Sequence, residues 1–346
     1  MPLPITKPKR DPYWDAVRGI LIILVIWIHA SSGVQFQFSA AAWNFDYWVV
    51  ARQLFNFPVA FFLFLAGYFV VQKHVSPKWI GSRAKRLLIP FFIWSFIYGI
   101  ITLVATDSYT NVVNFVANVA LGQTSVHLYF ILVLVQLTVL TPLFIKLLRT
   151  KCAWVPFLIT PLYITGMYVY ALTVGELPPF YGTFFAGWSA FYIAGLWMQA
   201  RPVKIPPLKG AIAVAGALFI VSVIEAYILI SNGGPVGLAV SQLSISSIVY
   251  SFAIFGVALA LKQQKKQITP PSWVVRLGTI SYGVYFVHIV WIFALTPITK
   301  WLLVVFPVLP VVQVLLVVSV VALSVATIQL TRRVIGKKYA VTLFGF

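Results

Sequence analysis

Apolar residues in this chain fall into blocks of about twenty, separated by short clusters of Lys, Arg, Pro and Gly. Ten such blocks lie near 14–33, 48–71, 87–106, 127–148, 153–172, 180–199, 208–230, 239–261, 278–298 and 308–331. About 20 mostly apolar residues are needed for an α-helix to cross roughly 30 Å of hydrocarbon. The strands of a lipid-facing barrel would instead alternate over about 10 residues, and no such alternation is present. The pattern therefore predicts an all-α, polytopic integral membrane protein of about ten transmembrane helices. Residues 299–309 fit either neighbouring helix. The stretch 107–126 mixes Val112, Val113, Phe115, Val116 and Val119 with polar residues, which suits an interfacial amphipathic helix or a folded-back loop.

Charge orients these segments. Basic residues cluster at the N-terminus (Lys7, Lys9, Arg10), at Lys73–Arg86, Lys146–Lys151, Arg201–Lys209 and Lys262–Arg276, and after the last block at Arg332–Lys338. These clusters, in alternate loops, hold 22 of the 25 Lys and Arg. The other loops carry Lys300, Asp46, Asp107 and Glu176. An excess of Lys and Arg marks cytoplasmic loops, so both termini are expected in the cytoplasm. The formal charge of +19 is thereby a property of topology rather than a nucleic-acid surface, and no nucleic-acid partner is expected. Of the 346 residues, 61% are hydrophobic and 9% charged, far from the balance of a soluble domain. One cysteine, Cys152, rules out a disulfide framework or a cysteine-cluster metal site. No small-residue cleavage site follows the first apolar run, so it reads as a retained span. No internal repeat is visible. A single domain over 1–346, without an appended soluble domain, is the expectation.

Ionisable groups inside a bilayer are costly and are candidates for function. They are Arg18, Arg52, Glu225, His29, His127 and His288, whereas His74 falls in a loop. The first block reads DAVRGILIILVIWIHA, with Asp15, Arg18 and His29. Arg18 and His29 are eleven positions apart, close to three turns, so they share a face at roughly 16 Å axial separation. Asp15 is placed to pair with Arg18. A guanidinium near the cytoplasmic mouth suits a phosphate-bearing ligand, and a deeper imidazole suits proton transfer. The structural alternative is that Arg18 snorkels to the headgroups and His29 is a packed core residue. Both readings stand on spacing alone. Arg52 either snorkels or lines a pocket. His127 opens the fourth helix, His288 follows Tyr282 and Tyr285 in the ninth, and Glu225 is a lone acid in the seventh.

The run WDAVRGILIILVIWIHA resembles the opening of the acyltransferase-3 family of membrane acyltransferases, whose signature is Arg, ten residues, then His. Here those residues are Arg18 and His29. FNFPVAFFLFLAGYF (55–69), SRAKRLLIPFFIW (82–94), HLYFILVLVQLTVLTPLF (127–144) and SYGVYFVHIVWI (281–292) are similar to later family segments, in the same order. Ala66 stands where many relatives have serine. The resemblance implies transfer of an acyl group, commonly acetyl, from a cytoplasmic acyl-CoA to a hydroxyl of a glycan or glycolipid. It also implies a bacterial cytoplasmic (inner) membrane and no metal. It assigns His29, Arg18 and Asp15 to catalysis, with Arg18, Arg83 and Arg86 holding the donor. Arg52, Glu225, His288 and Tyr285 become substrate-binding candidates. A basic run such as Arg83 and Arg86 is also expected from topology alone.

Two other classes compete. A secondary transporter or flippase would also use buried His, Arg and Glu. A non-catalytic subunit of a polysaccharide exporter would tolerate loss of His29.

Overall fold

The computed structural model describes residues 11–32, 43–106, 111–201, 203–264 and 269–346. Lys7, Lys9, Arg10, Asp107, Lys265 and Lys266 lie outside these. The described chain is helical throughout: α1 (Pro12–Ser32), α2 (Trp43–Leu54), α3 (Pro58–Tyr68), α4 (Pro77–Thr106), α5 (Val112–Leu121), α6 (Tyr129–Leu148), α7 (Ile159–Val174), α8 (Ser189–Ala200), α9 (Leu208–Ser231), α10 (Val236–Ala239), α11 (Ile245–Lys262), α12 (Ser272–Thr279), α13 (Ser281–Val305) and α14 (Leu309–Ile335). Nine stretches among the described residues are long and apolar enough to cross a bilayer, with α2 and α3 together forming one of them, Trp43–Tyr68. The fold is thus the polytopic helical one that the apolar blocks predict.

Several segments depart from the sequence boundaries; α4, for one, begins at Pro77, ten residues before the block at 87–106. The block at 180–199 does not form one helix. Pro178 and Pro179 stand just before it and Gly182 and Gly187 interrupt it, a short 3-10 turn occupies Phe185–Gly187, and α8 keeps twelve residues. At 1.5 Å per residue α8 rises about 18 Å, less than the hydrocarbon thickness. Its first eight residues are all buried, so protein rather than lipid surrounds it. The block at 239–261 begins its helix only at Ile245, because Glu225 accepts hydrogen bonds from the Ser246 amide (2.9 Å) and hydroxyl and so holds the α11 N-terminus. The stretch 107–126 does contain a helix, α5, capped by the Asn111 side chain on the Asn114 amide (2.8 Å) and ended by Gly122 in the left-handed region. Residues 299–305 belong to α13.

Helix α1 is the enclosed centre: 67% of its span is buried, against 17% for α9. Backbones approach closely at two crossings. A Cβ on Gly278 of α12 would lie 1.6 Å from the Asp15 carbonyl oxygen, and one on Gly19 would lie 2.3 Å from that of Val274. Between α3 and α8 the same holds for Gly67 against Tyr192 O (2.1 Å) and Gly195 against Phe64 O (2.2 Å). Without a hydrophobic force between helices in lipid, such small-residue contacts are a principal source of packing energy.

Polar contacts tie the two ends of the bundle. At the end bearing the basic clusters, Lys262 pairs with Asp11, the Tyr13 hydroxyl donates to Ala258 O, and Arg201 donates to Leu148 O (2.9 Å). At the opposite end the chain breaks between α2 and α3, where Pro58 starts the new helix. There Asn56 donates to Gln53 Oε1, Ser241 O and Ser247 Oγ (each 3.3 Å), and Gln53 donates to Ala239 O (2.8 Å).

Gly278→Val should therefore lower the thermal midpoint in detergent, by the equivalent of about 1–3 kcal/mol or more, since overpacking forces the helices apart. Gly216→Val, whose Cβ would meet nothing within 4 Å, should leave it unchanged. Equal midpoints for the two variants would show that the α1–α12 crossing is not under this constraint.

Candidate functional site

Helix α1 presents Arg18 and His29 to one side, as the eleven-residue spacing requires, and both line a cavity of about 360 Å³. Arg18 lies at its basic-cluster end. It pairs with Asp15 at 3.0 Å and its guanidinium sits 4.8 Å above the Phe69 ring. Asp15 is 3% exposed and does not reach the cavity wall. It orients Arg18 from behind. Arg83 also lines this cavity, stacked on Trp79 (5.1 Å) and donating to the Ala66 carbonyl (3.3 Å). Arg86 is exposed and absent from the wall, bonded to Ser82 O on its own helix. The Arg83–Arg86 motif therefore contributes one cation to the cavity, not two.

At the deep end three imidazoles converge, from α1, from α13 and from the turn that precedes α6. The ring of His29 lies 5.3 Å from that of His288 and 6.3 Å from that of His127, and those two are 5.1 Å apart. His288 is wholly buried and does not line either cavity described here. Its expected place on the cavity surface is taken by Tyr285, one helical turn earlier on α13, and His288 sits behind His29. Its Nδ1 lies 3.2 Å from Val284 O. A carbonyl only accepts, so that contact puts the hydrogen on Nδ1 and leaves Nε2 as an acceptor. His127 is held by Ser125 Oγ at Nδ1 (2.9 Å), and its carbonyl accepts from the Tyr285 hydroxyl. Nε2 of both His127 and His288 is buried without a hydrogen-bond partner among the described residues. Among those residues no set of three or more His, Cys, Asp or Glu has metal-holding geometry.

A second cavity, about 680 Å³, opens beyond His29. It is lined by Arg52, Tyr129, Tyr181, Trp188 and the loop around Gln242. Arg52 thus lines a pocket rather than snorkelling away from it. Burial pushes the Tyr181 phenol above its ordinary pKa, so it stays neutral and a hydrogen-bond donor. Among the described residues, only His29 and Tyr129 are common to both walls. Glu225 lines neither; Tyr168 and Ser246 bond its two oxygens. Sequence reasoning gave no role to Tyr129, Tyr181 or the loop near Gln242. The one available signal was Tyr129, two residues after His127 in a family-like segment.

This arrangement defines a class: a helical membrane protein with an enclosed basic and imidazole site reached from both ends of the bundle. The family model described as an acyltransferase domain matches residues 11–329, and the chain belongs to this acyltransferase-3 family. It is a multi-pass helical membrane protein of that family. Among curated proteins it is 29% identical over 94 residues to the nodulation protein NolL of Mesorhizobium japonicum (strain LMG 29417 / CECT 9101 / MAFF 303099). That match covers 26% of this chain and 24% of the relative, so the chain spans about a quarter of the relative's length. No solved structure matches it.

The two-ended layout is testable with single cysteines. In a Cys152→Ser background, Ala66→Cys and Thr183→Cys should react with a membrane-impermeant maleimide from opposite sides, each in only one of inverted and right-side-out vesicles. Labelling of both from one side would contradict cavities that open to opposite faces.

Proposed function

We propose that the protein is an O-acyltransferase of a bacterial cytoplasmic membrane, with its basic clusters and both termini inside. It carries an acyl group, acetyl by preference, from acyl-CoA to a sugar hydroxyl of an envelope polysaccharide or glycolipid. The observation that carries this reading is that His29 stands on the wall shared by both cavities. The acceptor hydroxyl enters from one side of the imidazole and the thioester from the other.

Arg18 and Arg83 sit where the phosphates of the donor would rest, since guanidinium forks match phosphate oxygens. His29 lies roughly 16 Å further along α1 by helical rise, a span comparable to an extended phosphopantetheine arm. A cavity of about 360 Å³ holds that arm and the acyl group, while the nucleotide stays at the mouth. His29 removes the acceptor's hydroxyl proton as the oxygen attacks the thioester carbonyl. The new C–O bond forms, the C–S bond breaks, and the same imidazole returns the proton to the departing thiolate. Asp15 keeps Arg18 oriented, and His127 and His288 fix the place of His29.

With purified protein and radiolabelled acetyl-CoA, wild type should consume the thioester. His29→Ala should retain donor binding and lose about 10²–10⁴-fold in turnover, the usual contribution of a general base. Arg18→Ala and Arg83→Ala should each weaken donor binding by roughly 10–100-fold, as loss of a charge-assisted hydrogen bond implies. Arg86→Ala should bind as wild type does. Absence of donor binding and turnover with acetyl- and succinyl-CoA alike would shift the reading to a transporter using the same two cavities.

A further inference from the structure

The second cavity contains a cation that has no acidic partner among the described residues. Arg52 lies within the membrane span Trp43–Tyr68 and on the cavity wall. Its Nη2 donates to Val240 O at 3.2 Å, while Nε and Nη1 have no hydrogen-bond partner among the described residues. The ion pairs of the described residues are Arg18–Asp15 and Lys262–Asp11, and neither involves Arg52. The acids on the elements nearest to it are engaged elsewhere. Asp46, on its own helix, accepts from the Tyr227 hydroxyl (2.7 Å), and Glu225 of α9 holds the start of α11. A charge within a membrane span is costly, and burying it unpaired adds to that cost. The remaining surface of the cavity joins aromatic faces, with Tyr129 stacked on Trp188 at 5.8 Å, to the amides of Asn118, Gln123 and Gln242. Flat aromatic faces beside amide donors and acceptors match a pyranose ring, and about 680 Å³ is within the range of small-ligand sites.

We propose that this cavity takes an acidic sugar, its carboxylate or phosphate pairing with Arg52 and its ring lying against Tyr129 and Trp188. Calling that sugar the acyl acceptor rests on the transferase reading; the anion site itself does not. The neutral phenols of Tyr129 and Tyr181 supply hydrogen bonds but no negative charge, so the ligand provides the missing counter-ion. His29, on the same wall, then meets one of the ring hydroxyls.

The test is calorimetric titration of the full chain in detergent with methyl glucuronoside as its free carboxylate, glucose 6-phosphate and neutral methyl glucoside. Wild type should prefer one or both anionic sugars by about tenfold or more, the scale of one charge-assisted pairing, and added salt should erode the preference. Which anion wins identifies the source of the charge. Arg52→Gln should bring the ratio close to one, whereas Arg52→Lys, which keeps the charge, should retain part of it. If Arg52→Gln does not fold, the Lys variant and the salt series on wild type decide. Equal affinity for charged and neutral sugars in wild type, or a preference that survives Arg52→Gln, overturns the proposal. So does an Arg52→Gln variant that loses turnover equally with acidic and neutral acceptors, which would assign Arg52 to the reacting carbonyl. Thioester consumption without anion preference sinks this inference alone. Anion preference without thioester consumption keeps the site and removes its role as acceptor site.

Discussion

Everything in this structure follows from keeping one polar helix face out of contact with lipid. Helix α1 carries Asp15, Arg18 and His29 through the middle of the bundle, where a charged group is costly. The surrounding helices meet that cost by enclosure. Two glycine crossings bring α12 against α1 and α8 against α3 at backbone distance. Arg18 is paired, half-enclosed and laid over Phe69. The peripheral helices, α9 above all, present apolar side chains outward and leave the centre free for chemistry.

The end of the bundle away from the basic clusters obeys a second rule: irregular backbone at membrane depth persists only where protein or a wet cavity surrounds it. The break at residues 55–57 and the loop at 239–244 face each other there. Buried Gln53, Asn56 and Ser247 hydrogen-bond one another, and the two amides donate to the freed carbonyls of Ala239 and Ser241. That network does two things at once. It stabilises a discontinuous span, and it fixes the last turn of α2, from which Arg52 reaches the cavity. A buried amide cluster of this kind tolerates little loss, because each member left without its partner bears its full desolvation cost. The site and the fold at this end are therefore one object.

The sequence made the span pattern legible because hydropathy and loop charge are local properties. It also placed Arg18 and His29 on one face, since helical periodicity within α1 is enough for that. It misjudged α8, where apolar composition masked four helix-breaking residues, and the start of α11, where a side chain from α9 sets the boundary. The convergence of His127 and His288 on His29 was out of reach for a different reason. The three come from segments about 100 and 160 residues apart, and spacing within a helix says nothing of which helix packs beside it. Tyr129 and Tyr181 were passed over because tyrosine is common at membrane interfaces, so composition alone does not single out the few that line a cavity.

The company His29 keeps bears on how a transferase would manage its proton. Among the described residues, neither cavity wall carries an Asp or Glu. An imidazolium formed at His29 would therefore have no carboxylate on these walls to hold it, unlike the acid-oriented histidine of a hydrolase triad. Two buried imidazoles stand beside it instead, and His288 offers a bare Nε2. On the proposed reading, the charge on His29 is tolerated only for as long as the thioester carbonyl is becoming an anion next to it. The proton then has one productive destination, the departing sulfur. Taking a hydroxyl proton from one cavity is in this way coupled to expelling a thiol into the other, which lets acyl transfer proceed without leaving a lasting charge at the centre of the membrane.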